Sequence, residues 1–360
     1  MITLEKTELL KALRAVMPGV EKGSCEIEGA DTILFKDNKI QTYNGMVAVS
    51  KKLECDNCTF AVKAVDLYNL VSKMKEAAVN LDVDSVTSKL KISSGKTKAS
   101  LALQSTESIE KYTSKIKEGD LKDLPADFAD ALKIVPIQNN SNPDLQGVAV
   151  IPTGDVSTMI STDRQRISSK KLSSKIEEML VDDGLLLQAI KVGNPKKYSI
   201  TGPWLNFVYE DGTRFSCTRK DHTSYPGAKI LPALDKFNEM AAVVSGKLPK
   251  DIVETVARVN VLSGIAEVNS EHIVKLTFDK AGISVYAENA GGNAEESIDW
   301  DTTMNIPDDL KSEIWVASSF ITEAVNKSMD FKLIDRGNGN LAFMFTGDGY
   351  VCMVTSLKKS

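Results

Sequence analysis

The feature that most constrains this chain is a recurrence. One order of elements can be read three times along its 360 residues. Each reading has a short strand-like piece, an amphipathic helix, strands, a second helix introduced by a hydrophobic-x-Val signal, and further strands. The first helices are expected at 7–16, 127–135 and 251–259. They close on Val16, Val135 and Val259, which lie 119 and 124 residues apart. The second helices fall within 60–74, 179–192 and 314–327, and their markers Val62, Val181 and Val316 lie 119 and 135 residues apart. Two independent markers with similar periods imply one structural unit used three times.

The helices are one-faced. In the first, Leu9, Leu10, Leu13 and Val16 form an apolar stripe, and Lys11 and Arg14 point away from it. In the second, Leu67, Leu70, Val71 and Met74 follow i, i+3, i+4, i+7 spacing, leaving Lys63, Asn69 and Lys73 outside. Between helices the period falls to two. Leu276, Phe278, Ile283 and Val285 alternate across a turn containing Gly282. Residues 206–217 turn at Asp211-Gly212, and residues 89–103 turn near Gly95. Half-buried antiparallel sheets packed on helices make the fold class α+β. Three similar domains are expected at 1–120, 121–235 and 236–360, with boundaries after the charged run near residue 120 and after Pro232.

Composition narrows the function classes. No stretch approaches the ~18 apolar residues of a membrane span. The first residues also lack the basic segment and apolar core of a signal peptide. Both point to a cytoplasmic protein with no membrane partner. The net charge of −5, from 44 Lys+Arg against 49 Asp+Glu, runs against a conventional nucleic-acid binder. A total says nothing about placement, however, and an acidic chain can carry one basic face. Cys25, Cys55, Cys58, Cys217 and Cys352 are odd in number and scattered, unlike a disulfide framework. Thiols in a reducing compartment are the simpler reading.

Little in the chain selects chemistry. Residues 94–97, Ser-Gly-Lys-Thr, resemble the end of a phosphate-binding loop, but Leu90 stands where its first glycine belongs, and the stretch lies in a strand pattern. A hairpin turn accounts for it better. Cys55 and Cys58 offer two zinc ligands where a structural site wants four, and the only histidines, His222 and His272, have no metal-like spacing. No metal or cofactor is expected. Without a nucleophile signature or a carboxylate pair, the chain reads as a non-enzyme.

Four motifs carry a family resemblance. Residues 145–167 resemble the second domain of the bacterial β sliding clamp, the DNA polymerase III β subunit, where a Leu-Asn-Gly strand leads to Thr-Asp-Gly-His-Arg-Leu. Leu145 and Thr162 are 17 residues apart, as in the family pattern. Residues 225–232 resemble the family's Phe-Pro-Asp-Tyr-Arg-Arg-Val-Leu-Pro, one residue shorter. Residues 350–357 resemble its C-terminal Tyr-Val-Val-Met-Pro-Met-Arg-Leu. Residues 92–101 resemble a domain-one hairpin. The matches fall in order over nearly the whole chain.

The resemblance implies a DNA clamp fold of three domains, each with two helices packed on antiparallel sheets. It implies a homodimeric ring, joined head to tail, that encircles double-stranded DNA without reading its sequence. Such a ring serves a DNA polymerase and is opened by a clamp loader. An acidic exterior around a basic interior would then explain the net charge. The polar helix faces supply the candidate DNA contacts Lys11, Arg14, Lys63, Lys73, Lys133, Lys191 and Arg258, with Lys196 and Lys197 just past a helix. Lys22 lies near a DNA-contacting arginine of the family. A partner-peptide pocket is implied at Leu145, Thr162, Arg164, Gln165, Arg166, Ile167, Pro226, Ile230, Val351, Met353 and Val354.

Departures from the family pattern are specific. Arg164-Gln165 replace Gly-His, and Met353-Val354-Thr355-Ser356 replace Met-Pro-Met-Arg, giving a bulkier, more polar pocket rim. Asp182 and Asp183 stand where the family is basic. At the subunit interface Ala99 replaces a phenylalanine, while Leu101, Leu103, Val261 and Leu262 keep apolar character. These changes point to a specialised or virus-encoded clamp. The competing readings are a three-repeat β-rich structural or interaction protein that does not encircle DNA, and an enzyme whose site carries no sequence signature.

Overall fold

A computed structural model describes the chain except residues 24–25, 56–57, 138–141, 265–271, 302–311, 338 and 358–360. Cys25 lies outside the described residues. The element order recurs three times. The first run is β1 (Ile2–Glu5), α1 (Lys6–Val16), β2 (Thr32–Lys36), β3 (Lys39–Tyr43), β4 (Val47–Lys52), β5 (Phe60–Lys63), α2 (Ala64–Lys73), β6 (Ala78–Asp84), β7 (Lys89–Ser94) and β8 (Thr97–Ala102). A short helix, α3 (Glu107–Thr113), follows. The second run is β9 (Lys122–Asp123), α4 (Phe128–Ile134), β10 (Val148–Thr153), β11 (Val156–Thr162), β12 (Arg166–Lys171), β13 (Met179–Val181), α5 (Asp183–Val192), β14 (Lys197–Thr201), β15 (Trp204–Val208) and β16 (Arg214–Lys220). After α6 (Gly227–Glu239), the third run is β17 (Ala242–Lys247), α7 (Ile252–Val259), β18 (Ile273–Phe278), β19 (Gly282–Asn289), β20 (Gly292–Asp299), β21 (Ser312–Ala317), α8 (Ser318–Lys327), β22 (Asp330–Asp335), β23 (Leu341–Gly347) and β24 (Tyr350–Thr355).

The chain folds as two compact units, residues 1–129 with 184–220 and residues 130–183 with 221–360. In the first unit, one sheet has the order β1-β6-β7-β8, and a second runs β5-β2-β3-β4-β16-β15-β14-β9. The pairing of β4 with β16, Ser50 opposite Arg214, joins strands of the first and second runs. The second unit repeats this plan. Its small sheet is β20-β19-β18-β21, and its large sheet runs β17-β22-β23-β24-β12-β11-β10-β13. Here β12 pairs with β24, Ile167 opposite Met353.

Local chemistry accounts for the elements. The Glu5 side chain caps α1 by accepting from the Glu8 amide at 3.0 Å. Leu9, Ala12, Leu13 and Val16 then bury one face of α1. Leu10, expected in that stripe, is only half-buried and faces a groove. The turn expected at Gly282 lies just before it, where Asp279 Oδ1 accepts from the amides of Ala281 and Gly282 at 2.8 and 2.9 Å. Gly282 itself opens β19, and a Cβ there would meet the Ile298 carbonyl. The Ser-Gly-Lys-Thr stretch is the β7–β8 turn, with Gly95 at φ 55°. Neither α3 nor α6 was anticipated, and α6 contains Pro232, read as a boundary.

Two local devices recur in the large sheets. After β3, Asn44 Oδ1 accepts from the amides of Met46 and Val47 at 3.1 and 2.8 Å. After β11, Asp163 Oδ1 accepts from those of Gln165 and Arg166 at 3.0 and 2.6 Å. Such Asx turns hold the backbone with a side chain. Further along the same strands, Lys51 of β4 bonds Asp211 in the β15–β16 turn, and Lys170 of β12 reaches Asp348 in the β23–β24 turn. A lysine thus clips each large sheet to its last hairpin.

Candidate nucleic-acid interface and partner groove

In the first unit, α1 and α5 flank an open groove of about 940 Å³. Lys11 and Arg14 from α1, Lys22 from the following loop and Lys191 from α5 line it, and all four are exposed. The apolar stripe of α1 faces the core, so period and burial together turn its cations outward. Arg14 Nε donates to the Tyr68 hydroxyl at 3.3 Å, which orients the guanidinium. Lys51 also lines the groove, but its side chain is largely buried against Asp211 and donates to Thr213 Oγ1 at 2.9 Å. Nothing in its Ser-Lys-Lys strand context marked it. Several separated cations in one groove can contact successive phosphates without reading bases.

The other predicted cations are placed differently. Lys63 lies in an adjoining groove shared with Lys22 and pairs with Asp31 at 3.1 Å. Lys73, Lys196 and Lys197 are exposed but do not line the α1–α5 groove, and Lys197 lies 3.9 Å from Asp123. In the second unit, Lys133 pairs with Asp130 at 2.8 Å, which holds that carboxyl below its ordinary pKa. Arg258 is held by Glu296 through its Nε and Nη2, at 3.0 and 2.6 Å. That bond raises the arginine's pKa and lowers the glutamate's.

The pocket residues of the second unit divide between the two faces of its large sheet. Ile167, opposite both Thr162 and Met353, packs with Ile230, Val351 and Met353 on the side covered by α6. Pro226 caps α6 and is half-buried beside them. Leu145, Thr162 and Met353 are buried, so the accessible apolar surface is Ile167, Pro226, Ile230 and Val351.

Val354 and Arg166 face the other way, so the structure does not bring them together with the rest of the expected pocket wall. Val354 is fully buried in the core containing α7 and α8. Arg166 donates from Nε to Asp163 at 2.8 Å and from Nη1 to Glu323 at 2.5 Å, and it lies over Phe320. Strand alternation alone separates 353 from 354 and 166 from 167. Arg164 is exposed and adopts φ 77°, a left-handed conformation that favours glycine.

The small sheets expose edges. β8 bounds one, with Leu101 and Ala99 half-buried and Leu103 just beyond. β20 bounds the other. The short turn packed beside β20 presents Val261 at 79 % exposure, next to half-buried Leu262. Unpaired edges with apolar neighbours are ready templates for another chain.

Among the described residues, no group of three or more His, Cys, Asp or Glu side chains could hold a metal. No helix among them is long and apolar enough to cross a membrane.

No protein-family model matches this chain, and no curated protein sequence matches it. Solved structures do. A putative DNA polymerase III β subunit from Eubacterium rectale is 14% identical, with a TM-score of 0.81 over 99% of both chains. The DNA polymerase III β chain of Streptococcus pneumoniae is 16% identical, with a TM-score of 0.81 over the whole of both chains. The sliding clamp of Bacillus subtilis is 14% identical, with a TM-score of 0.79 over 100% of this chain and 99% of its own. From end to end, this chain has the fold of the bacterial DNA polymerase sliding clamps.

Proposed function

We propose that this chain is a DNA sliding clamp, a processivity factor without catalytic chemistry of its own. The observation that carries the reading is the full-length match in fold to such clamps. Two copies join at their sheet edges, β8 of one against β20 of the other, and close a ring around duplex DNA. Val261 and Leu262 meet the Leu101 region across that joint. The three element runs are then three domains, 1–120, 121–235 and 236–360. Lys11, Arg14, Lys22 and Lys191 supply the strongest phosphate-facing cluster.

Retention is topological in this reading. A closed ring needs no tight contact to stay on DNA, so weak phosphate contacts leave it free to slide. A polymerase tethered to it stays at high effective concentration near the primer end. The tether is a short linear peptide with apolar anchors, bound at Ile167, Pro226, Ile230 and Val351. Arg164 and Gln165 at the rim select a partner peptide different from that of clamps with Gly-His. A clamp loader opens the ring in the cytoplasm.

The test loads the protein with a clamp loader onto nicked circular DNA and then linearises the circle. A ring survives moderate salt on the circle and is lost on cutting. Equal loss with salt from both forms would mean ordinary electrostatic binding.

A further inference from the structure

The first unit holds a cavity unrelated to the DNA groove. The segment after α3, residues 114–121, crosses the large sheet as a strap. Its Lys117 carbonyl accepts from Thr201 Oγ1 at 2.8 Å and from Asn206 Nδ2 at 3.5 Å, and its Glu118 pairs with Arg214. Beneath it lies a space of about 140 Å³. That is close to the ~150 Å³ of an engineered cavity able to take a benzene-sized molecule.

The floor of this space is polar. Gln41 of β3 lies opposite Ser50 of β4, which lies opposite Arg214 of β16. Lys39, two residues before Gln41, shares its face of the strand. Other floor groups are satisfied: Ser216 donates to Asn206 at 2.7 Å, and Asn206 bonds Ser199 at 3.3 Å. Gln41 differs. It is only 8 % exposed, lines the cavity, and its amide has no hydrogen bond to any described residue. Its amide opens onto the cavity, where a ligand can take both its donor and its acceptor. Lys39 likewise has no ion pair among the described residues. Ile116 and Leu121 of the strap add an apolar lid.

We propose that this cavity binds a short carboxylate. The carboxylate sits on Lys39, the Gln41 amide and the Ser50 hydroxyl, with its carbon chain under Ile116 and Leu121. The strap already presents one carboxylate, Glu118, to the neighbouring Arg214. That pair shows which chemistry the floor accepts, and it also places an internal anion in competition with the ligand. The carboxylate can come from a free small acid that fits under the strap, or from an acidic side chain of a peptide that lifts it.

The experiment measures thermal stabilisation and calorimetric affinity of the full chain with succinate, with its neutral isostere succinamide, and with acetyl-Ala-Glu-Ala-amide. Succinate is expected to bind and succinamide is not. Lys39→Met and Gln41→Leu each weaken succinate by about tenfold or more, the worth of one charge-assisted hydrogen bond. Glu118→Gln, at an exposed position, removes the competing anion and strengthens binding severalfold. Succinate alone binding identifies a free acid as the ligand, and the peptide binding as well identifies an acidic side chain. The proposal is overturned if neither acid exceeds succinamide, or if the affinities are the same in wild type, Lys39→Met and Glu118→Gln.

Discussion

The guanidinium of Arg166 lies over the ring of Phe320, 3.9 Å from its centroid. It is closed in by Asp163 at 2.7 Å, with both side chains only 7 % exposed, and by Glu323 on the same helix as Phe320. The first strand residue of the expected partner loop is thus an interior tie to α8. Removing one member of such a buried pair strands the other charge, which costs about 3–5 kcal/mol. Arg166→Met is expected to lower the stability of the second unit by that amount in urea denaturation. Arg166→Lys recovers little of it, because lysine cannot bridge two carboxylates while stacking on a ring.

Arg164 holds φ 77° without being glycine. The left-handed region costs a non-glycine residue about 1–2 kcal/mol, and glycine returns about 0.5–1 of that as unfolded-state entropy. Arg164→Gly should therefore stabilise by about 0.5–1 kcal/mol, read as a shift in denaturation midpoint. Arg164→Val should destabilise. A lower midpoint for the glycine variant would show that the arginine side chain holds the loop by contacts that outweigh its backbone strain.

Asp211 gives the first unit an acid limb. Burial alone would raise its carboxyl, but hydrogen bonds from Lys51 and Thr213 outweigh this and hold it at about 2. The folded pKa is below the unfolded value of about 3.9. The pair therefore stabilises fully above that unfolded value, and the contribution is lost as pH falls through the folded one. Denaturation measured between pH 5 and pH 2 (roughly the window set by those two values) should show a shallower acid decline in Asp211→Asn. An unchanged decline would remove the clip from the acid response.

Groove cations should report through salt. Binding to linear duplex, followed by fluorescence anisotropy, should give a log K against log salt slope that is shallower in Lys11→Ala, Lys22→Ala or Lys191→Ala. The reduction is about 0.9 for each phosphate that the variant no longer neutralises. Arg258→Ala and Lys133→Ala should change it less, because Glu296 and Asp130 already hold those charges. Equal effects at all five positions would contradict the special role of the α1–α5 groove.

If the proposed groove holds the partner peptide, neighbouring strand positions separate recognition from folding. Val351→Asp places a charge on the half-exposed groove face and should abolish stimulation of processive synthesis with little loss of stability. Val354→Ala opens a cavity in the core and should cost about 1–3 kcal/mol while leaving partner binding intact. The reverse pattern would mean that the groove lies on the other face.

Six of the eight helices among the described residues were legible because their apolar stripes are strong and their cores local. α3 was not, since Glu107–Thr113 buries only Ile109, too weak a signal against polar neighbours. α6 was hidden by Pro232, which usually ends a helix. The proposed partner groove takes only part of the residue set that the resemblance implied, because the resemblance carried whole motifs and ignored the side-to-side alternation at 166–167 and 353–354. The long-range charge pairs were illegible for a different reason. Arg258 finds Glu296 and Lys51 finds Asp211 only through tertiary folding, whereas Lys133 and Asp130, three residues apart on α4, form a pair of local spacing.

The pairing of β4 with β16 makes the single repeat an unsuitable piece to isolate. Cutting after residue 120 would strip β14, β15 and β16 from their sheet and leave β4 as an open edge, with Lys51 stripped of Asp211. The middle run suffers most, because its residues belong to both compact units and the chain crosses between them at 129, 183 and 220. A nick between runs should release sticky, self-associating fragments rather than soluble domains.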